Sequence, residues 1–143
     1  MISNNQKKKK IAIDRIRTAA QDILNALDCP DAQLSVLLID DTEITRLNRQ
    51  YLGRSGPTNV IAFPMREGEF ADISPELLGD VVISVETAER EAEEAGQDFE
   101  MRFNELLIHG ILHLLGYEHE HDELKALEME KKSGELMAVV QRI

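Results

Sequence analysis

All four histidines of this 143-residue chain fall within His109-Gly-Ile-Leu-His113-Leu-Leu-Gly116-Tyr-Glu-His119-Glu-His121. His109 and His113 are four apart, so on a helix their rings sit one above the other, within reach of a single metal ion. Gly116 suits the end of such a helix, because a residue without Cβ adopts the left-handed conformation that stops it. Reversal there would carry His119 back as a third ligand. His121 is either an alternative ligand or a solvated turn residue. Three imidazoles leave a tetrahedral ion one open position, the arrangement of catalytic zinc; a closed structural site would need more than the lone Cys29. Zinc is therefore the expected ion, although nickel and copper accept the same nitrogen ligands.

The spacing H-x-x-x-H-x-x-G-x-x-H matches the metzincin proteases, H-E-x-x-H-x-x-G-x-x-H, with Gly110 where the protease has its glutamate. The general base for peptide hydrolysis is missing, while water activation by a metal remains open. The element that must carry the histidines is a core helix: from Phe99 to Leu115 the chain is apolar on nearly every side. Its one polar stripe, Arg102, Glu105, His109 and His113, runs at helical spacing to Gly116. Buried imidazoles on such a stripe need a partner or a metal.

The rest of the chain supplies a scaffold. Ile11 to Leu27 has the period of an amphipathic helix, ended by Cys29-Pro30-Asp31; Leu34 to Ile39 has strand length. Asp40-Asp41-Thr42 offers caps for a helix through about Tyr51, closed by Gly53. A glycine and proline loop leads into a strand near Asn59 to Phe63, whose flanking prolines suit an exposed edge. Met65 to Leu78 shows no period and is either a flap over a cleft or a surface excursion. Gly79 to Val85 is a strand. Glu86 to Ala95 is an acidic helix closed by Gly96, with Glu89, Glu91, Glu93 and Glu94 as its solvated face. After the histidine helix, Asp122 caps a last helix to about Gln141, with Leu124, Leu127, Leu136 and Val140 turned inward. The fold class is α+β, or mixed α/β: a small, mostly parallel sheet of about four strands packed on helices, with a metzincin-like zinc helix.

The length suits one domain over residues 1–143, and no run of 18 apolar residues exists to span a bilayer. Met1 to Lys10 lacks the apolar core of a secretion signal, and with one cysteine this implies a reducing cytoplasm. Residues 1–60 carry nine Lys and Arg against seven Asp and Glu, and residues 61–143 carry seven against twenty. A net charge of -11 argues against a general nucleic-acid binder, so a polyanion should approach from the N-terminal half. Residues 1–10, with Lys7 to Lys10, are expected to form a flexible basic arm.

Several segments together carry a resemblance. Leu47-Asn48, Tyr51-x-Gly53, Pro57-Thr58-Asn59-Val60 with Phe63-Pro64, Leu78-Gly79-Asp80 with Ile83-Ser84, and the histidine motif with Tyr117 resemble the bacterial YbeY family of rRNA-maturation endoribonucleases. The likeness runs from about Ile39 to the last helix. It implies a single-strand-specific endoribonuclease using one zinc ion on His109, His113 and His119. The implied work is maturation of the 16S rRNA 3′ end and ribosome quality control, with single-stranded RNA and the small ribosomal subunit as partners. Neither DNA nor a membrane is an expected partner. The family usually places an arginine directly after the loop aromatic. Here that position is Leu52, and Arg54 is the substitute, with Arg49 and Arg46 behind it.

An ion so held acidifies bound water and polarises a phosphoryl oxygen, and an arginine fork stabilises charge on phosphorus. Glu105 either orients His109 or pairs with Arg102; Asn59 and Asp80 are candidates for the cleft wall, and Gly110 is expected to leave room for a phosphodiester. Two other readings compete: a zinc-stabilised assembly factor without catalysis, and a hydrolase of another substrate class.

Overall fold

The computed structural model describes residues 1–65, 77–117 and 123–140. The elements run β1 (Ile2–Asn4), α1 (Ile13–Ala26), β2 (Gln33–Ile39), α2 (Asp41–Leu52), β3 (Val60–Pro64), β4 (Leu77–Ser84), α3 (Val85–Ala95), α4 (Phe99–Leu114) and α5 (Glu123–Val140). The strands form one sheet in the order β1-β2-β4-β3. β1 and β4 flank β2 in parallel, and β3 closes the far side antiparallel to β4.

The layering follows from sequence. β2 and β4 are near-continuous apolar runs, as strands covered on both faces must be. On one face Val36, Leu38, Val81 and Ile83 meet α1 and α4. On the other, Ile39, Ile61 and Val82 meet Ile44 of α2. α1 buries Ile16, Ala19, Ala20, Ile23 and Leu24, the stripe its period predicts. α4 is buried nearly all round, with Leu107, Ile108, Ile111 and Leu112 at 0% exposure, and so forms the centre of the larger core.

The helix ends obey local chemistry. The Asp40 carboxylate caps α2 by accepting the Glu43 N–H at 3.0 Å, and Ser84 Oγ caps α3 by accepting the Thr87 N–H at 3.3 Å. Gly53 and Gly96 close these helices with φ of 64° and 66°.

Two expectations need correction. Residues 1–10 are not a free arm: Ile2, Ser3 and Asn4 pair with Val36, Leu37 and Leu38, and buried Gln6 accepts the N–H groups of Lys8 and Lys9 at 2.9 Å. The backbone groups of β2 would lack partners on that side without β1. On α5, Met129, Leu136 and Val140 are buried, but Leu124 and Leu127 are 73% and 61% exposed. Leu124 and Leu127 thus lie on the side of α5 opposite the buried stripe. Of Met65 to Leu78, read as flap or excursion, Leu77 and Leu78 already belong to β4, and 66–76 lie outside the described residues, as do the expected cap Asp122 and the end of α5 at Gln141. Among the described residues no helix is long and apolar enough to cross a membrane.

Candidate active site

The C-terminal part of the α4 polar stripe, His109 and His113, lines one side of a cleft of about 450 Å³ between that helix and the edge strand β3. α4 ends as expected. Gly116, at φ 93°, donates its N–H to His113 O, and Tyr117 donates to Leu112 O, each at 3.0 Å. This pair of bonds is the glycine-dependent Schellman stop, and it turns the chain immediately after the second histidine.

His109 and His113 converge: their Nε2 atoms are 3.0 Å apart, with ring centroids at 4.5 Å. Two nitrogens bound tetrahedrally at about 2.0–2.1 Å from zinc lie about 3.3 Å apart, so the pair is set within a few tenths of an ångström of a shared ion. The negative end of the α4 dipole, at His113, favours a cation there. Among the described residues no third His, Cys, Asp or Glu completes a metal cluster. His119 and His121, the predicted third ligand and its alternative, lie outside the described residues.

The opposite wall comes from the loop after α2 and from β3. Leu52, Arg54, Thr58 and Asn59 line the cleft. Buried Asn48 fixes this loop by donating from Nδ2 to Gly56 O at 3.0 Å, while the Arg54 N–H bonds Asn48 O. The Arg54 side chain is exposed and makes no ion pair among the described residues. Arg46 is engaged elsewhere, donating to Glu43 at 2.9 Å and to Gln50 at 3.2 Å. Of the three arginines considered, Arg54 is the one placed on the cleft.

A second polar group supports this wall. Asn59 Nδ2 donates to both carboxylate oxygens of Glu91 at 3.1 and 3.2 Å, and Arg102 Nη2 pairs with Glu91 at 3.0 Å. Arg102 also reaches Glu105 at 3.4 Å, so of the two roles foreseen for Glu105 the ion pair is present. Glu91 is thus not simply part of a solvated face. It joins α3, the start of β3 and α4, and nothing local in the sequence marks it.

Two further placements differ from expectation. Gly110 is buried, and a Cβ there would come within 2.6 Å of Val81 Cγ1 and 3.3 Å of Val60 Cγ2. The missing side chain lets α4 press onto the sheet; that close contact, rather than room for a substrate, is what glycine provides. Asp80 lines a different hollow, with Met1, Arg17 and Met65. It pairs with Ser35 and Phe63 in the middle of the sheet.

An open sheet covered on both faces, with a cleft along its edge strand and two imidazoles converging in it, defines a mixed α/β protein with a candidate site in that cleft. More particularly, the chain belongs to the endoribonuclease YbeY family, whose profile matches residues 1–141. Endoribonuclease YbeY of Syntrophotalea carbinolica is 53% identical over 138 residues, covering 96% of this chain and 92% of that protein. The Geobacter sulfurreducens protein of the same name is 50% identical over 141 residues, covering 98% and 94%. The solution structure of TM1509 from Thermotoga maritima superposes with a TM-score of 0.68 at 28% identity, covering 98% of this chain and 89% of that one. As a member of this family the chain is an enzyme of the nuclease class.

Proposed function

We propose that the chain is a zinc-dependent, single-strand-specific endoribonuclease that matures the 3′ end of 16S rRNA and acts in ribosome quality control in the cytoplasm. The observation that carries this reading is the approach of His109 Nε2 and His113 Nε2 to 3.0 Å in the cleft, in a chain of an endoribonuclease family. The fit is one of donor chemistry: two imidazole nitrogens at ligand spacing and the negative end of a helix. His109, His113 and His119 would hold the ion, which when bound supplies an acidified water and a Lewis acid for phosphoryl oxygen.

The chain's own groups do the positioning. Arg54, across the cleft, supplies a planar fork of donors for a phosphate oxygen whose charge grows during hydrolysis. Thr58 and Asn59 offer donors along the same wall, and Glu91 holds the Asn59 amide in place. An edge-strand cleft admits an extended single strand. Unpaired RNA offers splayed bases and a flexible backbone to such a site, which a duplex does not.

Metal content and cleavage, measured together, test the reading. One zinc per chain is expected, with cutting of unstructured RNA abolished by a chelator and absent on duplex RNA. Cleavage that survives removal of all divalent metal would sink it.

A further inference from the structure

Behind His109 a second hollow, of about 340 Å³, opens between α4 and α5, and it shares Asn59 and His109 with the main cleft. One wall is the stripe of Arg102 and Glu105; the other is Ser133, Gly134 and Met137 of α5. Gly134 stands inside the 18-residue α5, where glycine weakens a helix, and a Cβ there would meet nothing within 4 Å. Packing does not call for glycine at this point. Its effect is to keep the wall flat.

The charges select the occupant. Of the residues lining the hollow, Arg102 and Glu105 are charged, and the Arg102 guanidinium is already divided between Glu105 at 3.4 Å and Glu91 at 3.0 Å. A phosphate would find that guanidinium already engaged, whereas a neutral ring rich in N–H donors would meet an acceptor in Glu105. Glu105 Oε1 accepts from Arg102, and among the described residues Oε2 makes no hydrogen bond. Met137 gives an apolar surface for a ring face.

We infer that this hollow is a nucleobase subsite. It takes the base of the nucleotide beside the phosphate at the histidine pair, with Glu105 accepting from the base's Watson–Crick edge. Guanine fits best, because its adjacent N1–H and N2–H2 donors match a carboxylate, and uracil fits worst, with one N–H between two carbonyls. The subsite rests on the proposed function insofar as the RNA backbone must lie in the main cleft.

The test uses the full chain and single-stranded RNA hexamers with phosphorothioate linkages that resist cutting. The hexamers differ only in one central base set in an adenine background, and binding is read by fluorescence anisotropy. Guanine is expected to bind about tenfold tighter than uracil. Gly134→Phe, which fills the hollow, should bring that ratio close to one while the melting temperature confirms folding. Glu105→Gln should lower the ratio without filling the space, and decides the matter if Gly134→Phe does not fold. Equal affinities in the wild type, or a preference that survives these substitutions, overturn the subsite. Discrimination lost on filling the hollow, in a protein that cuts no ordinary RNA, leaves the subsite standing and removes the nuclease reading. His113-dependent cutting with no base discrimination does the reverse.

Discussion

Two polar clusters of this molecule have opposite designs. At the N-termini of α2 and α3, Asp41 accepts hydrogen bonds from Ser84 Oγ and Thr87 Oγ1 at 2.6 Å each and from Arg90 at 2.7 Å, while its own N–H donates to Glu86. Every member there finds its complement within the protein. In the cleft, His109 and His113 point like atoms at each other. Two imidazole Nε2 atoms can share at most one proton comfortably, and the other way to satisfy both lone pairs is a cation between them. A self-complementary cluster fastens elements together, whereas two converging nitrogens of the same kind are the arrangement that the proposed metal site calls for.

The sharpest break of this contrast is His113→Ala. Cleavage of single-stranded RNA, read as kcat/KM, should fall by about a thousandfold or more, since a Lewis acid contributes several kcal/mol to such a transition state. The fold should persist, as shown by an unchanged circular dichroism spectrum.

Gly110→Ala should act through packing instead. The new methyl presses on Val81 and Val60, and a loss of about 1–3 kcal/mol in denaturant unfolding is expected. A stability equal to wild type would show that α4 can withdraw from the sheet without cost.

Asp41→Ala leaves the Ser84 and Thr87 hydroxyls without their acceptor and should cost about 1–2 kcal/mol, with cleavage per folded molecule retained. Partial burial alone would raise the Asp41 pKa, but the bonds from Ser84, Thr87 and Arg90, with the Arg90 charge, outweigh it and hold the carboxyl below its usual 3.8. A depressed folded-state pKa stabilises above the unfolded value and is lost as pH falls through the folded one. The stability difference between wild type and Asp41→Asn should therefore be constant near neutrality and shrink below about pH 4.

The smallest effect belongs to Arg54→Ala: weaker RNA binding, with the slope of log affinity against log salt reduced by about one, as for a single phosphate contact. An unchanged slope would remove Arg54 from the backbone path.

Much of this was legible in the chain, for local reasons. Gly53, Gly96 and Gly116 announce helix ends because a left-handed turn is a property of the residue itself. The histidine spacing announces a shared face because helical geometry is local too. What stayed hidden is long-range. β1 is three residues with one clear apolar position, and only its partner β2 makes it a strand. Gly110 reads as a missing catalytic glutamate until Val81, 29 residues earlier, is seen against it. Glu91 looks like one more exposed acid until Asn59 and Arg102 arrive from other elements. The stripe on α5 was misplaced because Leu124 and Leu127 fall on the opposite side of the helix from Met129, Leu136 and Val140, the residues that meet the core.

The parallel pairing has a consequence in time. Val36 finds neighbours at Ile2 on one side and Val81 on the other, and the cleft's two walls, β3 and α4, are brought together across the same sheet. Contacts of such wide sequence separation form slowly and late. During synthesis, then, a half-made chain carries Arg54 but no histidines, and the proposed cutting centre can assemble only once the last third has emerged and docked.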